Sequence, residues 1–336
     1  MYKEINLFSP YMKSNPYLAI FFSFVQVDFT TIPWLLKFFT SPFAFTKSEK
    51  DEFDMSLYGY IPSNLLDDYF LMCCPFVEIC HINQILLNDD IIKIIENAIN
   101  SGYCPAIVIN PHFISAYGEW KIAEHDLLLC GYDSEKRVLL CKDFFPPSYM
   151  YSQSWVTYEE FIASYRERNT RYNLRFLKKK NLVTYPSAKD TGSILKEVMG
   201  NYLNPQYRLE NPYYPLAYQS YSDKEGELMD ANKLWIGINI YKGIEENLAQ
   251  IPNKFWIMLI DGKRLILDAI SLIEFCDREK VKKLYEEIVS TLYILLNMNV
   301  KYLVKGDTGI INRMRPKICE IEEKEEMAIQ IILDKL

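Results

Sequence analysis

The stretch His125-Asp-Leu-Leu-Leu-Cys-Gly-Tyr-Asp133, followed by Arg137-Val-Leu-Leu-Cys-Lys-Asp143, leaves the backbone few choices. Two apolar runs flank the polar turn Tyr132-Asp-Ser-Glu-Lys136, which predicts a β-hairpin. His125 stands at the start of one strand and Asp143 at the end of its antiparallel neighbour, so register alone brings an imidazole beside a carboxylate. A neutral imidazole shuttles protons well near neutral pH, and a carboxylate on its second nitrogen fixes the tautomer. The pair is therefore a candidate catalytic base with its orienter. The alternative is a strand histidine and a turn aspartate that only satisfy local hydrogen bonds.

Around the hairpin the pattern is α+β. Residues 10–27 read as a buried first helix, with Asn15 as cap and Pro16 at its first position. Residues 65–81 read as a strand. The run 88–100 reads as a helix with apolar residues at helical spacing and Gly102 just past its end. Strands are expected at 105–110, 125–131, 137–143 and 170–178. From Pro186 the pattern turns helical, with helices at 189–202, 231–250, 253–275, 278–298 and 309–334. Asp230 is the expected cap of the second, and 204–229 reads as a long loop able to cover a cleft. Two domains follow: 1–185, a buried helix with a mostly antiparallel sheet, and 186–336, a helical subdomain.

Hydrophobic residues make up 49% of the 336 and charged residues 24%, the balance of a packed globular chain. The net charge of −7 argues against a nucleic-acid binder, which must neutralise phosphates. The eight cysteines, at 73, 74, 80, 104, 130, 141, 276 and 319, mostly sit in apolar runs and read as reduced, buried thiols of a cytoplasmic protein. The start, Met1-Tyr-Lys-Glu-Ile-Asn, does not read as a signal peptide. The apolar run 18–27 stops at Asp28, short of a membrane span.

The order "His, apolar run, Gly-Tyr-Asp, second strand, Asp" resembles the base region of papain-like cysteine proteins of the peptidase C39 and butirosin-H type. Ala106-Ile-Val-Ile-Asn110, Pro111-His-Phe and Tyr117 are similar to the strand and substrate-side loop before that histidine, and Thr157-Tyr-Glu-Glu-Phe161 to the short helix after it. The resemblance implies a papain-like N-terminal domain. It also implies acyl transfer or amide-bond formation from an acyl or peptidyl carrier protein, to a small-molecule or peptide amine, in peptide or antibiotic biosynthesis. No cofactor is implied beyond the phosphopantetheine that such a partner carries. The family's nucleophilic Cys is missing: Asn15-Pro-Tyr-Leu-Ala-Ile-Phe-Phe-Ser-Phe24 holds no cysteine, and Ala19 falls at its place. Ser14 and Ser23 lie nearby without a supporting motif. Three readings follow: an acyltransferase in which His125, held by Asp143, acts directly on the attacking amine; a catalytically inactive relative that binds a carrier domain, peptide or partner enzyme; and a structural or regulatory domain that shares only the fold.

Other candidates are weaker. Cys73-Cys74 with Cys80-His81 lacks the spacing of a structural zinc site. His112 reads as a solvent-facing loop residue. Arg166, Arg168, Arg171, Arg175, Lys178, Lys179 and Lys180 could receive an acidic carrier domain or guard an exposed edge strand. The run 322–327 reads as a solvated helix face, and the 25 tyrosines and 19 phenylalanines suit a bulky core or an aromatic cleft.

Overall fold

The computed structural model describes residues 1–13, 16–39, 43–46, 53–56, 74–82, 90–119, 124–146, 150–169, 174–180, 188–204 and 234–336. The expected cap Asn15, Ser14, Cys73, Arg171, Asp230 and the loop 205–229 lie outside them. The chain is α+β and divides into two compact units, Met1–Gln26 with Tyr69–Val183, and Val27–Asp68 with Thr184–Leu336. The second unit thus takes in 27–68, which the sequence reading placed with the first.

The first unit is built on an antiparallel sheet of seven strands, β1 (Tyr2–Glu4), β4 (Val77–Ile82), β5 (Cys104–Ile109), β6 (His125–Asp133), β7 (Val138–Phe145), β8 (Met150–Thr157) and β9 (Leu174–Lys179). The order is β4-β9-β5-β6-β7-β8, with β1 also paired to β6. On one face lie α3 (Ile91–Asn100) and α4 (Tyr158–Arg166). Asp90 caps α3 by accepting from the Ile92 amide at 3.1 Å, and Ile92, Ile95 and Ile99 turn inward at helical spacing. Thr157 and Glu160 form a capping box at α4. The other face is covered by α1 (Pro16–Phe24), apolar nearly all round and shorter than the helix expected over 10–27. Of the strand expected over 65–81, residues 65–73 lie outside the described residues and the rest holds β4 from Val77; β8 had no clear alternation to announce it.

The basic run does not guard an edge, because β9 is paired on both sides. Arg175 is buried and ion-paired with Asp126, Lys178 donates to the Ser101 carbonyl at 3.1 Å, and Lys179 lies over the Phe8 ring.

In the second unit, α2 (Ile32–Phe39) packs against α5 (Ala188–Leu203) and α7 (Asn253–Leu272). The helices α8 (Arg278–Lys305) and α9 (Thr308–Lys335) complete the layer, with α6 (Ile240–Glu246). A small antiparallel sheet joins β2 (Phe43–Thr46), β3 (Phe53–Ser56) and β10 (Leu234–Ile236). The helix expected over 231–250 is therefore replaced by a strand, a tight turn and a short helix. Gly237 forces the turn: its φ is +58°, and a Cβ there would lie 2.3 Å from the Tyr202 carbonyl oxygen.

The core of this unit holds an ion pair. Lys263 Nζ donates to Glu325 Oε1 at 2.6 Å and Oε2 at 2.8 Å, and both side chains are buried. Tyr202, Tyr241 and Tyr285 donate to the same carboxylate from three further helices. Glu325 lies within the run read as a solvated face; its neighbours Glu323 and Glu326 do face water. Among the described residues no helix is long and apolar enough to cross a membrane.

Candidate active site

The β-ladder sets the first contact. Leu128 pairs with Lys142 and Leu129 with Cys141, so Asp143 stands opposite Leu127, and His125 is its diagonal neighbour on the same face. The side chains close that distance: His125 Nε2 lies 2.5 Å from Asp143 Oδ2. The carboxylate is buried, whereas the imidazole keeps 20% of its surface exposed. The contact is made through Nε2 rather than Nδ1, and in the neutral tautomer that donates there the lone pair sits on Nδ1.

Tyr117 completes the group. Its phenol donates to Asp143 Oδ2 and lies 3.5 Å from His125 Nε2. Its ring meets His125 edge-on at 5.7 Å and leans on Phe145 at 5.0 Å. Burial, with the Asp143 charge adding to it, holds the phenol in its protonated form well above the usual tyrosine range. The second carboxylate oxygen, Oδ1, accepts from the Phe144 amide at 2.7 Å. Three donors thus fix Asp143.

Tyr117 reaches this position from a short turn, Ser115–Tyr117, that ends on Gly118 at φ +59°. That turn is clamped to α4. Glu160 Oε1 accepts from the Ser115 amide at 3.0 Å, Ser164 Oγ donates to the Asn110 carbonyl at 2.6 Å, and Asn110 Nδ2 donates to the Glu167 carbonyl. Burial alone would push the Glu160 carboxyl up, but the donors from Ser115 and Thr157 hold it below the ordinary range.

Ala19 lies elsewhere. It is fully buried on α1, and its carbonyl accepts from Ser23 Oγ at 2.8 Å. Ser23 neighbours Tyr151, which pairs across the ladder with Phe144 and so projects from the sheet face opposite Asp143. Burial holds the Tyr151 phenol well above its usual range, with the Ser23 hydroxyl pulling back a little. The structure therefore brings His125 and Asp143 together and sets Ala19 and Ser23 on the other side of the sheet.

The buried cysteines of this sheet are poor nucleophiles. Burial pushes the Cys130 thiol up to about 12 and raises Cys104 and Cys141 as well. Cys74 is buried and Cys80 exposed, and no group of three or more possible metal ligands occurs among the described residues. His112 is exposed, in a turn capped by Asn110. An open groove of about 390 Å³ lies at the β4 edge, lined by Cys80, Ile82, Ile94, Ala98, Tyr103 and Phe176. It includes none of His125, Asp143 and Tyr117.

Sequence reasoning missed the role of Tyr117 in orienting Asp143, although Tyr117 stood in the loop singled out before the hairpin. No family model matches the chain, and no curated protein matches it at a significant level.

Proposed function

We propose that His125 is a general base held by Asp143, and that the protein catalyses acyl transfer from a carrier-bound thioester to an amine. The observation that supports the reading is the buried carboxylate on Nε2 of a partly exposed imidazole. The substrate class rests on the resemblance to papain-like proteins of the butirosin-H type. In this reading Nδ1 takes the proton of the amine as its nitrogen attacks the thioester carbonyl. The C–S bond then breaks, and the proton passes to the departing thiolate. No acyl-enzyme forms, because the donor and acceptor meet in one complex. Positioning and a single base contribute several orders of magnitude each to such a reaction.

The placement of Ala19 on the far sheet face favours a second reading, a protein that binds an acylated carrier without turnover. One experiment separates the two. Amide formation from a carrier-bound acyl thioester is measured for the chain as it stands, His125→Ala and Ala19→Cys. Turnover that falls by about 10²–10⁴-fold in His125→Ala supports the general-base reading. A rate unchanged in His125→Ala removes it. Saturable carrier binding with no turnover in any form supports the second, and an acyl adduct on Ala19→Cys overturns the opposed-face assignment.

A further inference from the structure

Helix α8 is apolar on two faces. The inward one, Tyr285, Ile288, Leu292, Leu295 and Asn299, is buried in the layer formed with α7 and α9. One residue further along, and so about 100° around the helix, runs a second row: Val289, Tyr293, Leu296, Val300 and Leu303. Its steps of four, three, four and three are the heptad alternation with which one helix packs on another. Tyr293, Val300 and Leu303 are 45%, 41% and 53% exposed, and Val304 beside them is 80% exposed. No charged residue stands between Glu287 and Lys301. A face meant for water carries lysines and glutamates instead, as α9 does at Glu323 and Glu326.

We infer that this row is the contact between two copies of the chain, with their α8 helices antiparallel about a two-fold axis near Ile294. The pattern is self-complementary in that register. Tyr293 of each copy meets Leu296 of the other, and Val289 meets Val300, so large side chains share the central layers and small ones flank them. Charge selects the direction. The row begins at Lys282 and exposed Glu286, with exposed Lys283 beside them, and exposed Lys301 and Lys305 end it. Antiparallel packing sets Glu286 opposite Leu303, within reach of both lysines, whereas parallel packing sets like charges together. The exposed parts of Tyr293, Val300, Leu303 and Val304 amount to on the order of 400 Å² per copy, and with the flanking side chains of the row a two-fold contact comes to roughly 1,000 Å², the lower bound of a specific interface.

Sedimentation of the full chain tests this. A dimer of twice the chain mass is expected, with Val300→Glu/Leu303→Glu monomeric and unchanged in circular dichroism, since both positions face outward. Glu286→Lys alone and Lys301→Glu/Lys305→Glu alone each weaken self-association by roughly tenfold or less. Mixing the two restores the dimer, because each pair of ends is then opposite in charge. A chain that stays monomeric well above micromolar concentration overturns the inference. So does a dimer that survives Val300→Glu/Leu303→Glu, or a monomer that instead floats with phosphatidylcholine vesicles through this face. Weakening of both charge variants without restoration on mixing overturns the antiparallel arrangement.

Discussion

Tyr117 and His125 share one oxygen of Asp143: the phenol and the imidazole both donate to Oδ2, while the Phe144 amide occupies Oδ1. The phenol keeps its proton in the folded chain above its ordinary value near 10.0. Tyr117→Phe removes one of three donors from a buried carboxylate and should cost about 1–2 kcal/mol of stability. The sign with pH follows from the raised value: the folded state holds a proton that the unfolded chain releases above pH 10.0. The contribution is complete below that pH and is lost as pH rises beyond it. Urea titrations at neutral and strongly alkaline pH should therefore give a smaller alkaline loss for Tyr117→Phe than for the parent. Equal losses would show that Tyr117 does not carry this pH dependence.

Lys263 and Glu325 should be far costlier to separate than to remove together. Burial draws the lysine below its ordinary range, and only the Glu325 charge and hydrogen bonds work against that. Lys263→Met leaves an unpaired buried carboxylate and is expected to cost about 3–5 kcal/mol. Adding Glu325→Gln, which removes the charge but keeps a polar partner for Tyr202, Tyr241 and Tyr285, should recover most of it, as read from chemical denaturation. If the double variant is no more stable than the single one, the pair is not the source of the penalty.

Gly131 is needed for close approach rather than for an unusual φ. A Cβ there would lie 2.8 Å from the Lys3 carbonyl oxygen and 3.2 Å from Leu140 Cβ. Gly131→Ala is expected to cost about 1–3 kcal/mol and to loosen β1. Hydrogen exchange reads this directly: the Ile5 amide, bonded to the Cys130 carbonyl at 2.8 Å, should lose protection first. Full protection in the variant would mean that the strands yield without parting.

Thiol chemistry should follow burial. At mildly alkaline pH, a disulfide reagent is expected to modify Cys80, Cys276 and Cys319 quickly, and Cys74, Cys104, Cys130 and Cys141 only on unfolding. Cys130, held up to about 12 from an ordinary 9.0, keeps its proton when the unfolded chain loses it. Its stabilising contribution is complete below pH 9.0 and declines between pH 9.0 and about 12. Mass spectrometry of the labelled peptides checks the first statement, and a flatter curve for Cys130→Ala over that pH window checks the second.

Local signals carried far in this chain. The hairpin was legible because its strands are joined by a four-residue turn, in which Asp133 Oδ1 accepts the Glu135 and Lys136 amides. The α3 cap and the Thr157–Glu160 capping box were legible for the same reason, since each needs residues only two or three apart. The run from Leu234 misled because its apolar residues suit a helix and a strand alike. The choice was made by Gly237 meeting Tyr202, which lies far away in sequence.

By itself the sequence determined the α+β class, the hairpin and the face that His125 and Asp143 share, because side-chain alternation and helix capping act over a few residues. The tertiary structure decided that Tyr117 joins them, that Ala19 covers the opposite face and that Glu325 is buried against Lys263. Those relations depend on which distant segments pack together, and a carboxylate in a charged run looks the same whether it meets water or a lysine 62 residues away.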